Sequence, residues 1–190
     1  MKREQVEFRT FSRDIRMDES GTSRSICGYA VRFNEPSQPL SDGIVEVVLP
    51  NAFGDLTGKD VRAFFNHDYN YLLGRTTSGT LKLTQDEVGL YFEINLATGA
   101  KAEEVYQLVK RGDLDGVSFG AIVREDRWSA DGKTNELMTL DLIEISPVVF
   151  PAYLNPNVEA RSIDRHSRRP KQRYRSLDIA NAKIALDDES

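Results

Sequence analysis

Gly116-Val117-Ser118-Phe119-Gly120-Ala121-Ile122-Val123 is an unbroken run of small, β-branched and aromatic residues with a single hydroxyl inside it. Such a run predicts a strand, because β-branched and aromatic side chains suit a pleated, half-buried surface. Alternation puts Val117, Phe119, Ala121 and Val123 on one apolar face and leaves Ser118, Gly120 and Ile122 on the other. Gly116 and Gly120 carry no side chain beside Ser118, so a substrate backbone is expected to approach there. Taken alone, Ser118 also reads as an ordinary strand serine.

The same chemistry recurs on both sides of this run. Val6-Glu7-Phe8-Arg9-Thr10-Phe11 alternates, and residues 26–33, 44–49, 61–67, 72–75, 80–84, 89–96 and 136–149 all read as strands. Between them lie a polar stretch at 13–24 with Gly21 as its turn, a loop at 36–43, and turns at Ser78-Gly79 and Asp131-Gly132. Pro50-Asn51-Ala52-Phe53 predicts the opening of a short helix, since proline suits a first turn. One full helix is predicted at 101–111. Ala102, Val105, Leu108 and Val109 share a face there, Lys110 and Arg111 occupy the last turn, and Gly112 stops it. Many short strands with few helices predict a β-rich α+β domain, most simply a closed or nearly closed β-barrel with a few flanking helices. Closure would remove the unpaired strand edges.

The length of 190 residues accommodates one domain plus tails. We expect a folded domain over 1–160 and a polar, largely disordered C-terminal tail over 161–190. Apolar residues make up 39% of the chain and charged residues 29%, and the polar ends explain the apolar shortfall. No apolar run is long enough to span a bilayer, and the N-terminus lacks the apolar region of a signal peptide, so no membrane association is expected. Cys27 is the only cysteine. It therefore predicts no internal disulfide, a reducing compartment and a buried small hydrophobe.

The net charge of −5 hides an asymmetry. Between 161 and 176, Arg161, Arg165, Arg168, Arg169, Lys171, Arg173 and Arg175 face one acid, Asp164, so the rest of the chain is markedly acidic. Such a segment reads as a solvated tail or as a contact for nucleic acid or an acidic partner. Tyr174 is its only aromatic residue, which argues against specific nucleic-acid recognition.

Two further residues carry chemistry. The chain has two histidines, and His166 lies in the arginine-rich tail, so imidazole chemistry in the folded body must use His67. Alternation puts His67 at the end of its strand, on the face of Val61, Ala63 and Phe65, where a barrel opens to ligands. The other reading is a structural histidine bonded to backbone. Glu144 is predicted on a face with Leu140, Leu142 and Ser146, opposite Ile143 and Ile145. A carboxylate in so apolar a strand is costly without a partner. That partner is either His67 or one of Arg32, Arg62, Arg75 and Arg124 in an ion pair. Ser118, His67 and Glu144 together provide a nucleophile, a general base and an orienting carboxylate, the outline of a serine hydrolase. His67-Asp68 has no second His or Cys at ligand spacing, and P-loop and Rossmann glycine patterns are absent, so neither metal nor cofactor is expected.

At these residues the chain resembles the prohead (procapsid) maturation proteases of tailed bacteriophages, a family related in fold to herpesvirus assemblins. The resemblance runs from about residue 26 to 160. Gly28-Tyr29-Ala30-Val31-Arg32-Phe33-Asn34 resembles the family's opening strand. Glu46-Val47-Val48-Leu49-Pro50-Asn51-Ala52-Phe53 is similar to its Pro-Gly-Ala-Phe segment, with Asn51 in place of the glycine. Asn66-His67-Asp68 with Leu73-Gly74 resembles its histidine motif, and Ser118-Phe119-Gly120 its serine motif, with Ala121 replacing a usual aromatic. Glu144-Ile145-Ser146-Pro147-Val148-Val149-Phe150-Pro151-Ala152 resembles its Glu-Val-Ser…Pro-Ala block, with Pro147 where leucine is common.

The resemblance implies a serine endopeptidase on an assemblin-like β-barrel, with Ser118 as nucleophile and His67 as base. Glu144 is the implied third member, although assemblins use a second histidine there. It further implies cleavage of scaffold or capsid-protein extensions, and of the enzyme itself, inside the procapsid in the host cytoplasm. The major capsid protein and scaffold are the implied partners, with self-association a further expectation and the 161–176 tail a self-cleavage or scaffold-binding segment. Two other functions fit the residues: a non-enzymatic capsid-interior assembly protein with an inert Ser118, and a nucleic-acid-binding module using the basic tail.

Overall fold

The serine run becomes the inner part of β9 (Gly116–Trp128), which pairs antiparallel with β10 (Thr134–Val148) along nearly its whole length. These coordinates belong to a computed structural model that describes residues 5–12, 14–17, 24–40 and 43–149. The β9–β10 turn forms as its sequence demands. The Asp131 carboxylate accepts from the Ser129 hydroxyl at 2.6 Å and from the Lys133 backbone N–H at 3.0 Å, and Gly132 takes φ +70°.

β10 is the hub of the first sheet. Its N-terminal half pairs in parallel with β4 (Val45–Val48), and its C-terminal half pairs in parallel with β5 (Arg62–Phe65). β5 continues antiparallel into β6 (Asp68–Arg75), and β1 (Glu7–Ser12) lies antiparallel on the far side of β9. The order is β1-β9-β10-β5-β6, with β4 beside β10. The second sheet is antiparallel, in the order β2 (Ile15–Met17), β3 (Ser25–Arg32), β8 (Gly89–Asn95) and β7 (Leu81–Gln85). The sheets touch at both flanks, β1 against β3 and β6 against β7 and β8. Phe53, Phe92, Phe119, Ile26, Leu90, Leu140 and Ile145 are fully buried in the core. Burying a side chain of that size is worth about 1.5–3 kcal/mol.

The chain passes between the sheets through α1 (Ala100–Arg111), whose Ala102, Val105 and Val109 are buried. Lys110 and Arg111 in its last turn complement the helix dipole, and Gly112, at φ +77°, donates its N–H to the Val109 carbonyl at 3.0 Å. Among the described residues α1 is the one α-helix, and a 3-10 turn spans Thr76–Ser78, so this part of the chain is β-rich.

Three local expectations fail for physical reasons. Pro50-Asn51-Ala52-Phe53 forms a turn rather than a helix, because Asn51 is left-handed at φ +63°. Asparagine suits that conformation, being one of the few residues besides glycine that adopt it routinely. The polar stretch at 13–24 contains β2, too short and too charged around Arg16 to register as a strand. Residues 61–67 are not one strand, since a turn begins after Phe65. The Gly21 turn, the boundary at 160, the Phe150-Pro151-Ala152 part of the carboxylate block, His166 and the 161–190 tail lie outside the described residues.

A buried ion pair ties β1 to β4. Arg9 is 5% exposed and Glu46 is 4% exposed. Arg9 donates from Nε and Nη2 to the two oxygens of Glu46 at 2.8 and 3.1 Å, and from Nη2 to Glu7 Oε2 at 2.7 Å. Removing one partner of such a pair strands a buried charge. Glu46→Ala is therefore expected to lower stability by about 3 kcal/mol, the low end of the usual penalty because Glu7 remains. Denaturant titration measures this, and a change within about 0.5 kcal/mol would refute the clamp.

Candidate active site

His67 is delivered by a hairpin turn. Phe65 pairs with Asp68, so Asn66 and His67 form a two-residue connection, and both take left-handed φ, +50° and +59°. Positive φ at both central residues is what a type I′ hairpin requires. Asparagine tolerates that conformation, whereas histidine bears a cost of about 1–2 kcal/mol. The end of β10 and the residue after it hold the turn in place: the Asn66 N–H donates to the Pro147 carbonyl at 3.0 Å, and Asn66 Oδ1 accepts from the Val149 N–H at 2.9 Å. His67 is thus projected from a turn, not from a strand face shared with Val61, Ala63 and Phe65.

Glu144 reaches the same place by a bulge. Leu142 opposes Ala121 and Glu144 opposes Gly120, so β10 has one residue more than β9 at Ile143. The bulge reverses the alternation. Leu140 and Leu142 share the core face with Ile145, whereas Glu144 and Ser146 turn to the face of Ser118. Bulges commonly re-aim a side chain in this way beside a functional site.

On that face Glu144, 0% exposed, accepts hydrogen bonds on Oε1 from His67 Nδ1 and, at 3.1 Å, from the Ser146 hydroxyl. The four candidate arginines serve other acids: Arg32 pairs with Asp14, Arg62 and Arg75 with Asp60, and Arg124 with Asp141. Glu144 is close enough to act on Tyr69, whose hydroxyl pKa is raised first by partial burial and then by this carboxylate. The Phe8 ring packs on the His67 imidazole, with centroids 4.4 Å apart.

Gly120 has a different task from the one its sequence suggests. Phe8, Gly120 and Glu144 line up in one row across β1, β9 and β10. A Cβ on Gly120 would lie 2.7 Å from Glu144 Cγ and 2.9 Å from Phe8 Cε1. The space is filled by these two side chains rather than left for a substrate backbone. Gly120→Ala is expected to cost about 1–3 kcal/mol through overpacking. It should also weaken the His67–Glu144 contact. Thermal denaturation checks this, and an unchanged midpoint would show that Phe8 and Glu144 yield freely.

Ser118 is in the next row, opposite Ser146 on one side and Thr10 on the other. It is 1% exposed, and its hydroxyl donates to the Arg9 carbonyl at 2.9 Å. Thus His67 and Glu144 are bonded to each other, and Ser118 shares the face on the adjacent strand with its proton directed to β1. Among the described residues no cluster of three or more His, Cys, Asp or Glu is arranged to hold a metal ion, and no helix is long and apolar enough to cross a membrane.

Sequence reasoning missed the parts played by Asn66, Phe8 and Ser146. The Asn66-His67 pair resembles the Asn-Gly hairpin signal closely enough to have suggested a turn. Phe8 is too distant in the chain to be linked with His67 by any pattern.

The sequence model of the caudovirus prohead serine protease family matches residues 11–169. No curated protein and no solved structure matches the chain.

Proposed function

The chain belongs to the caudovirus prohead serine protease family, and on that premise we propose that it is an endopeptidase acting through Ser118, His67 and Glu144. The observation that carries this reading is the buried Glu144 carboxylate bonded to His67 Nδ1. A carboxylate only accepts hydrogen bonds, so in the neutral imidazole this contact selects the tautomer with the proton on Nδ1 and the lone pair on Nε2. His67 Nε2 then removes the Ser118 proton as the hydroxyl attacks a peptide carbonyl, and returns it to the leaving amine. Glu144 fixes the tautomer and stabilises the imidazolium. General-base assistance of this kind contributes roughly 10²–10⁴-fold. For this step the Ser118 hydroxyl must first leave the Arg9 carbonyl and turn its proton to the imidazole.

The substrates in this proposal are extensions of the major capsid protein or scaffold inside the procapsid, together with the enzyme's own 161–176 tail. The two sheets are taken as walls of an assemblin-like barrel, which their contacts at both flanks favour. The second reading, a non-enzymatic capsid-interior assembly protein, is favoured by the burial of Ser118 and the engagement of its hydroxyl by Arg9. Co-expression with the capsid protein of the same phage separates the two. Processing by the wild type and none by folded Ser118→Ala supports the peptidase. Equal processing by both refutes it.

A further inference from the structure

A hydroxyl that the mechanism above does not use lies against its carboxylate. Ser146 is 0% exposed and directs its only proton to Glu144 Oε1 at 3.1 Å, the same oxygen that receives His67 Nδ1. Glu144 Oε2, also buried, has no hydrogen-bond partner among the described residues. We propose that Ser146 is a positioning residue for the Glu144–His67 pair, an inference that rests on the peptidase reading for its catalytic consequence.

The terminal torsion of a glutamate is broad, so packing alone leaves the plane of the carboxylate loosely set. Two donors converging on one oxygen, His67 Nδ1 and the Ser146 hydroxyl, restrain that plane more tightly than His67 alone. The imidazole takes and returns a proton at Nε2 and has to keep its alignment while it does so, whereas Ser146 is a donor that has no part in the proton transfer. The location suits a fixed support. Ser146 follows the Ile143 bulge, so regular alternation puts it on the face of Glu144, and its ladder partner is Ser118 itself. Movement of the nucleophile strand against β10 is therefore restrained where the carboxylate is held.

The test compares the full chain with Ser146→Ala and Ser146→Cys, the second filling the site with only a weak donor. A hydrogen bond to a charged group is worth about 1.5–3 kcal/mol, so kcat for cleavage of the purified capsid protein is expected to fall roughly 10- to 100-fold. KM should stay within about twofold, because Ser146 does not meet the substrate. The rate of Ser118 phosphonylation by a fluorophosphonate probe should fall in parallel. In a Glu144→Gln background the same substitutions should change that rate by less than about twofold, since acting through Glu144 predicts coupling.

The low-field NMR signal of the His67 Nδ1 proton gives a readout independent of activity. It is expected to broaden or shift upfield in both variants. Full kcat with an unchanged signal in either folded variant would overturn the proposal. So would a loss of the same size in the Glu144→Gln background. If the peptidase reading fails instead, wild-type Ser118 is not labelled by the probe, while the His67 signal still reports whether Ser146 orients the pair.

Discussion

Ser118→Ala is expected to reduce processing of the capsid protein by about 10⁶-fold, the loss seen when a hydrolytic serine that works as one unit with its base is removed. The structure separates this chemical loss from a folding defect. Alanine keeps the Cβ and fits the strand. It removes the bond from the hydroxyl to the Arg9 carbonyl, worth about 1 kcal/mol net. For a chain of this size that is a fall of roughly 2–4 °C in Tm. The expected variant is therefore folded, slightly less stable and inert. Melting curves beside gel analysis of the capsid protein measure both quantities. Cleavage persisting within tenfold of wild type, with a cooperative melt, would rule out Ser118 as nucleophile.

Much of this architecture is legible in the sequence because it rests on short-range chemistry. The runs at 26–33, 89–96 and 116–123 are apolar and β-prone enough to name their own state, and they become the central strands β3, β8 and β9. The 101–111 helix carries its periodicity, basic last turn and glycine stop within a dozen residues, and it is observed one residue longer. What was not legible depends on tertiary partners. β2 is a three-residue strand, held by its antiparallel pairing with β3. The parallel β4–β10 and β5–β10 pairings join segments about 80 or more residues apart in number, which no local pattern records.

The candidate site divides along the same line. Ser118, His67 and Glu144 stood out by their setting: the one folded-body imidazole, a carboxylate in an apolar strand and a hydroxyl between glycines. Their orientation did not follow from alternation. The Ile143 bulge reverses the parity that would have grouped Glu144 with Leu140 and Leu142, and the Asn66-His67 turn ends the strand that would have carried His67. Both irregularities lie where the functional groups meet, and each swings a polar side chain off the pattern its strand implies. Nor does any pattern reveal that the Ser118 proton is directed to a backbone carbonyl on β1, because that contact spans 109 positions in the chain.

Substitution of His67 is expected to be as damaging as loss of Ser118, and the two losses should not add. A serine that attacks only while its proton is being removed gains little without the base, so each single change already disables the unit. His67→Ala, Ser118→Ala and the double variant should therefore process at the same residual rate, about 10⁶-fold below wild type. The left-handed turn provides a way to separate this from misfolding. Alanine at φ +59° keeps the cost of a Cβ there, while glycine relieves it. Both lose the Phe8 contact and leave the buried Glu144 with Ser146 as its remaining donor. His67→Gly should thus be more stable than His67→Ala by about 1 kcal/mol and equally inactive. Stability and activity then move independently across the pair, which a purely structural histidine does not allow. Were the glycine variant to regain processing along with its stability, His67 would be a turn residue and the base would have to be sought elsewhere.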